Sequence, residues 1–363
     1  MLKKRICLIG QFPPPIHGLS KALDTLYKSE FLNQNYDFVK IDITNNRRFI
    51  TNYRLISRTH ADLFYLTISQ SIGGNFRDLL IMNLLKKQGK KCLVHLHGGY
   101  FRKLYDEEMT GFQRKLNDHA LKSIAGAIVL GDSLKYIFRR LVEEDKVFVI
   151  PNCVDDEYLL SEEELEAKLE NQSNIYHILY LSNFIKSKGY DVALGMAKGF
   201  KDIPGTRRFH FDFAGRFYED EERSVFEDYV KDNSLDDMVT YHGIVSGDAK
   251  RNLLKNSSFF ILPTEYPREG QPISILEAMG NGLVVLTTKH AGIPDVVSDG
   301  INGCVVDCDK DKVRIYIDYL NSLSNEQIAE ISKNNYKKIK EHYLENTYIS
   351  NLDRCFSLLI KGE

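Results

Sequence analysis

Two glutamates with seven residues between them, Glu269 and Glu277, stand in the stretch Pro263-Thr264-Glu265-Tyr266-Pro267-Arg268-Glu269-Gly270-Gln271-Pro272-Ile273-Ser274-Ile275-Leu276-Glu277-Ala278-Met279. Glu269 falls in a loop, Gly270 follows it, and Pro272 is a helix-starting residue, so Glu277 is expected about one turn inside a helix. Amides near 270–273 would be unpaired at that helix start and ready for an acceptor oxygen. One carboxylate can accept two hydroxyl hydrogen bonds from a ribose while the other reaches a second ring of hydroxyls. Charge-assisted bonds of that sort contribute about 1.5–3 kcal/mol each. A solvated helix start is the plainer reading of two carboxylates, but Gly270, Pro272 and the apolar Ile273, Ile275 and Leu276 argue against exposure.

Three other loops carry chemistry-bearing residues. Ser182-Asn183-Phe184-Ile185-Lys186-Ser187-Lys188-Gly189 follows an expected strand and opens a helix. Lys188 there can meet a phosphate with its charge while helix amides add theirs; the alternative is a surface lysine. Arg216, after Phe213-Ala214-Gly215, is a weaker candidate of the same kind. Residues 10–20 run Gly-Gln-Phe-Pro-Pro-Pro-Ile-His-Gly-Leu-Ser, which is not a Gly-x-Gly-x-x-Gly fingerprint because prolines occupy its middle. A stiff loop delivering Gly18 to a helix start suits an anionic diphosphate, and a rigid turn that only shapes the fold is the alternative. In Leu96-His97-Gly98-Gly99-Tyr100, His97 ends a strand beside two glycines, where an imidazole can bond a sugar or steady charge.

The elements that must position these residues follow a repeating pattern. Short apolar runs at 6–9, 38–43, 63–68, 92–96, 127–130 and 147–150 read as strands, with helices near 20–27, 77–87 and 111–122. A second series has strands at 178–181, 209–214, 239–241, 259–262, 284–287 and 304–306, with helices near 190–199, 221–232, 249–256, 273–279 and 310–323. Strands apolar on both faces and separated by helices mark doubly wound parallel sheets, whose ligands bind beyond the strands' carboxyl ends. The expected organisation is a first doubly wound domain over 1–155, an acidic helical linker over 156–175, a second such domain over 176–340 and a C-terminal helix over 341–363.

Composition sets the outer limits. The 363 residues, 43% hydrophobic and 27% charged, exceed one ordinary domain and exclude a disordered or collagenous chain. No stretch approaches the ~18 apolar residues of a membrane span. The basic start Met1-Leu2-Lys3-Lys4-Arg5 leads into an apolar run that stops at Gly10, too short for a secretory core, so a cytoplasmic protein is expected. The six cysteines are scattered without metal-like spacing and read as reduced thiols. Residues 1–150 hold 24 Lys+Arg and 14 Asp+Glu, a balance of +10, against −12 for residues 151–363. A basic half of that kind suits an anionic surface or substrate, or is an ordinary solvated face.

With these residues in hand, the chain resembles the large retaining glycosyltransferase family four. The marks are EGQPISILEAM with its two glutamates, the following GLVVLTTKHAGIPDVVSDGINGCVVD, the interdomain IPNCVD and the SKG around Lys188. The resemblance covers almost the whole chain. It implies the GT-B fold: two Rossmann-like domains facing a cleft, with a C-terminal helix crossing back to the first. It implies that Glu277 holds the donor's ribose and that Glu269 meets hydroxyls of the transferred sugar, with Gly270, Gln271, Pro272 and Ile273 nearby. Lys188 and Gly18 then serve the diphosphate, and His97 lies near the reacting sugar. Many relatives place a Gly-Arg pair where this chain has Ser182-Asn183. A neutral amide stabilises a diphosphate less than a guanidinium does, so Arg216 or another cation is expected to compensate.

The reaction so implied is transfer of a hexose-type sugar from a nucleotide-diphosphate sugar, such as a UDP-sugar, to a saccharide with its anomeric configuration retained. No metal and no other cofactor is expected, so preorganised cations and amides would stabilise the leaving diphosphate. Bacterial relatives extend polyprenyl-diphosphate-linked sugars for lipopolysaccharide or capsule, which makes a lipid-linked acceptor an expectation here. Arg47, Arg48, Arg54 and Arg58 interleave with Phe49, Ile50, Tyr53 and Leu55, a pattern that can rest on anionic lipid at the inner face of the cytoplasmic membrane. Nucleic acid is not an expected partner. The alternatives are a sugar-nucleotide epimerase or phosphorylase on the same plan, which needs no acceptor, and a silent sugar-nucleotide-binding subunit, which neither transfers nor hydrolyses donor.

Overall fold

The computed structural model describes residues 3–14, 18–170, 175–202 and 207–361. The middle of the proline loop, 15–17, and the end of the acidic segment, 171–174, lie outside these residues. Two compact units form. The first comprises Met1–Asn152, Arg268–Gln271 and Asn346–Glu363; the second comprises Cys153–Pro267 and Pro272–Glu345.

In the first unit, β1 (Lys4–Gly10), β2 (Tyr36–Asp42), β3 (Leu63–Thr67), β4 (Cys92–His95), β5 (Gly126–Val129) and β6 (Val147–Val149) form a sheet in the order β2-β1-β3-β4-β5-β6. Every pairing is parallel. The central strands β3, β4 and β5 are buried along their whole length, as the continuous apolar runs require of a sheet covered on both faces. Helix Ile72–Lys87 begins where Ser71 accepts from the Gly74 amide, and helix Gly111–Leu121 where Thr110 accepts from Gln113. The tail helix Glu345–Lys361 buries Tyr348, Ile349, Leu352, Cys355 and Phe356. Its Phe356 ring meets Tyr36 and Tyr65 edge-on at 5.8 and 6.0 Å, and the Tyr36 hydroxyl donates to Asp353 Oδ1 at 2.8 Å.

In the second unit, β7 (Ile175–Leu181), β8 (Arg208–Ala214), β9 (Val239–Tyr241), β10 (Phe259–Leu262), β11 (Val284–Thr288) and β12 (Gly303–Val306) run in the order β12-β11-β10-β7-β8-β9, again all parallel. Aromatic rings fill one end of its core, Phe184 lying within 6.2 Å of both Phe213 and Phe226. The segment expected as a free linker is part of this unit. Helix Glu162–Glu170 sets Leu165 in a small buried cluster with Leu160 and Tyr336, because an amphipathic helix gains by covering its apolar side. Helix Asn325–His342 starts in a Ser324–Gln327 capping box and pins the sheet through Asn335, which donates to the carbonyls of Leu283 and Asn302. Among the described residues, no helix is long and apolar enough to cross a membrane.

Candidate functional site

Several of the residues singled out by type and spacing lie in loops at the carboxyl ends of strands, and each unit holds its own share. In the second unit, the loop after β7 carries Asn183 and Lys188, and the loop after β8 carries Arg216. The two loops are joined by backbone bonds from Ser182 N to Ala214 O and from Phe184 N to Arg216 O at 2.9 Å. Gly215 makes the crossing possible: its φ is 154°, and a Cβ would sit 1.8 Å from the Ser182 carbonyl oxygen. Asn183 and Arg216 are both exposed on these neighbouring loops. A guanidinium is thus available beside the position where only an amide stands.

Lys188 is half-buried at the end of a short 3-10 turn, Lys186–Lys188. The Glu265 amide donates to Ser187 O at 2.7 Å, which ties this turn to the loop after β10. Lys188 Nζ lies 4.8 Å from the Tyr266 ring centroid, a cation–π contact that aims the ammonium along that loop. The same loop leads to helix Ile273–Gly280, whose N-cap is Pro272 and whose fifth residue is Glu277. Glu277 is 3% exposed. Its Oε1 accepts from Lys250 Nζ at 2.6 Å, and that ammonium sits 4.1 Å over the Tyr158 ring. Asn281, just past the helix, donates to Tyr158 O and Glu277 O and fixes the far end.

Lys250 and Tyr158 escaped the sequence reading. Lys250 lies in helix Gly247–Asn256 among ordinary polar residues, and Tyr158 in a turn before the acidic helix; no spacing marks either as a neighbour of Glu277.

Glu269 belongs with the first unit, whereas the sequence set it in the second domain, 176–340. The cause is its neighbours. Gly270 lies so close to the 97–98 backbone that a Cβ would stand 2.8 Å from His97 O and 2.9 Å from Gly98 Cα. Gln271 donates from Nε2 to Leu130 O at 3.1 Å and accepts through Oε1 from Asn152 N at 2.7 Å, so its side chain is committed to holding the segment. Glu269 itself is 9% exposed. His97, half-buried, is thereby brought beside the Glu269–Gly270 segment. Gln70, another residue the sequence reading passed over, braces the same loop by accepting from Tyr100 N at 2.6 Å.

The remaining candidates stay apart. Gly18 is the first residue of helix Gly18–Lys28 after β1, as the sequence suggested, with the loop before it outside the described residues. Arg47 and Arg48 lie in the turn Asn46–Arg48, and Arg54 and Arg58 on helix Phe49–Arg58, all four exposed.

Comparison with known proteins fits this geometry. A family model described as Glycosyl transferases group 1 matches residues 161–341, the stretch that carries Lys188, Arg216 and both glutamates. The chain belongs to that family. It is 28% identical over 130 residues to the amylovoran biosynthesis glycosyltransferase AmsK of Erwinia amylovora, covering 35% of this chain and 31% of that one. It is 24% identical over 171 residues to a putative colanic acid biosynthesis glycosyltransferase, WcaL, of Escherichia coli, covering 46% and 41%. The chain spans less than half the length of these relatives named for polysaccharide synthesis. A glycosyltransferase from Rickettsia africae superposes with a TM-score of 0.74 over 99% of this group 1 chain and 100% of its own, at 17% identity. HepE from Anabaena, solved with UDP and glucose, does so with a TM-score of 0.72 over 98% and 99%, at 15% identity. With two doubly wound parallel sheets, the fold is GT-B.

Proposed function

We propose that the protein transfers a hexose-type sugar from a UDP-sugar to a saccharide hydroxyl, with retention and without a metal, in building a bacterial surface polysaccharide. The observation that carries this reading is the buried Glu277 on helix Ile273–Gly280, within the group 1 segment and on the helix that follows the loop tied to the Lys188 turn. Relatives named for amylovoran and colanic acid synthesis, and the UDP and glucose in HepE, support the substrate class. Glu277 accepts from the ribose hydroxyls through the carboxylate edge that Lys250 leaves open. Glu269 accepts from hydroxyls of the transferred sugar. Lys188 and Arg216 receive the negative charge that grows on the diphosphate.

In the step itself, the bond from anomeric carbon to diphosphate oxygen breaks, and its electron pair leaves with UDP. The acceptor hydroxyl oxygen bonds to the anomeric carbon on the same face, and its proton passes to the departing phosphate oxygen. His97, beside the Glu269 segment, hydrogen-bonds the sugar as it takes on positive character. In this reading Arg216 supplies the charge that Asn183 does not.

The acceptor is lipid-linked in this reading. Helix Phe49–Arg58 supports it, because its outward side combines Arg54 and Arg58 with Ile50 and Leu55, which are 66% and 47% exposed. A thermal-shift panel of UDP-, GDP- and ADP-sugars, followed by anomeric NMR of the product in EDTA, tests the transfer. Stabilisation by UDP-sugars and an unchanged anomer are expected; an inverted anomer or a need for metal would reject it. Flotation with anionic liposomes tests the bilayer contact, and no binding even at low salt would remove it.

A further inference from the structure

Behind His97 lies a buried polar chain that plays no part in the reaction as written above. His95, the last residue of β4, is fully buried, and its ring stacks on that of His97 with centroids 3.8 Å apart and planes 26° from parallel. The Tyr65 hydroxyl on β3 hydrogen-bonds His95 Nδ1. Tyr348, on the tail helix Glu345–Lys361, lies close to that hydroxyl. Tyr65 is 1% exposed and is walled by Phe356 of the same helix, its ring 6.0 Å away.

We propose that Tyr65 and His95 are positioning residues that couple the docked tail helix to the plane of the His97 imidazole. This rests on the role given to His97 above.

His95 Nε2 is buried and has no hydrogen-bond partner. A tyrosine hydroxyl carries one proton. If Tyr65 donates it to Tyr348, its oxygen is free to accept from His95 Nδ1–H, and Nε2 is then a bare lone pair. The other tautomer would bury an orphaned N–H, the worse of the two defects. The tail helix thus selects a tautomer and fixes the ring about its own axis. Burial, reinforced by His97, holds the His95 pKa well below the usual histidine range, so the ring under His97 is neutral. A ring held flat by a neighbour loses its orientation when that neighbour is free to turn, and small misplacements near a reacting centre cost much rate.

Two variants keep the ring and remove one hydroxyl each: Tyr65→Phe and Tyr348→Phe. The His97 Cε1–H resonance, assigned by its absence in His97→Ala, reports orientation through the ring current of His95. UDP release from UDP-glucose reports turnover. In both variants the resonance is expected to move away from its stacked position, with kcat down about tenfold and KM nearly unchanged. A resonance that stays in place in both variants overturns the positioning role. A resonance that moves while turnover keeps the wild-type rate overturns the role of His97, and the coupling to transfer with it.

Discussion

At the scale of single residues, the two glutamates make separable predictions. In the proposed reading Glu277 faces the nucleotide, so Glu277→Ala is expected to weaken UDP binding by about 2 kcal/mol, near thirtyfold in Kd, by titration calorimetry. Glu269→Gln is expected to leave that Kd in place and remove most transfer, since its partners lie on the sugar; the opposite pattern would invert the two roles. Lys250 adds a test of its own. Its ammonium is the partner of a carboxylate only 4% exposed, and it is itself 17% exposed. Removing one member of a pair that far from water leaves the other charge uncompensated. Lys250→Met is therefore expected to destabilise the second unit by about 3 kcal/mol, and Lys250→Met with Glu277→Gln to recover most of the loss in urea melts. Equal losses in both would show that the ammonium acts by packing on Tyr158. The carboxylate pair was legible because loop, glycine and proline surround it in sequence. Lys250 was not, because its partner lies 27 residues away across two elements.

At the scale of elements, the strands were legible and several helices were not, for one physical reason. Strands buried on both faces have to be continuously apolar, and runs such as Leu63–Thr67 and Phe259–Leu262 admit little else. Helices Glu30–Asn35 and Phe49–Arg58 have mixed sequences whose helical state is set by packing and caps, such as Ser29 accepting from Leu32 N. Sequence also could not foresee the histidines that pairing of β7, β8 and β9 gathers around Asp212. His177 Nδ1 donates to its Oδ2 at 2.6 Å and His242 Nε2 to its Oδ1 at 2.7 Å. The bond to Asp212 raises the His177 pKa above the usual 6.5 in spite of burial, while burial lowers that of His210. For Asp212, burial pushes up, but the two histidine bonds outweigh it and hold the carboxyl below the usual 3.8. A raised histidine pKa means that the folded state holds the proton more tightly than the unfolded chain. That stability is complete below pH 6.5 and fades as pH climbs through the folded value. The Asp212 contribution is lost only in acid, as pH falls through its own lowered value. Asp212→Asn should thus lower Tm more at about pH 6 than at about pH 9, and a gap that stays constant would rule out the charge on His177.

At the scale of the whole molecule, neither unit is a continuous piece of sequence. The first is completed by Arg268–Gln271 and by the tail from Asn346, so a chain ending at Asn152 would lack both. The tail is more than a tether. Its Phe356 is fully buried against Tyr36 and Tyr65, and Leu352 beside it is equally enclosed. Truncating a buried phenylalanine costs about 3–5 kcal/mol, a large share of the roughly 5–15 kcal/mol that a domain has in total. Phe356→Ala should therefore loosen the sheet of the first unit, whose last strand ends at Val149 far back in the sequence, and spare the second unit, to which Phe356 does not belong. Hydrogen exchange resolves the two: amides of β1 and β3 should exchange faster while those of β7, β10 and β11 keep their protection. Faster exchange in both sheets would mean that the units unfold as one cooperative body, and the tail would then stabilise the chain as a whole.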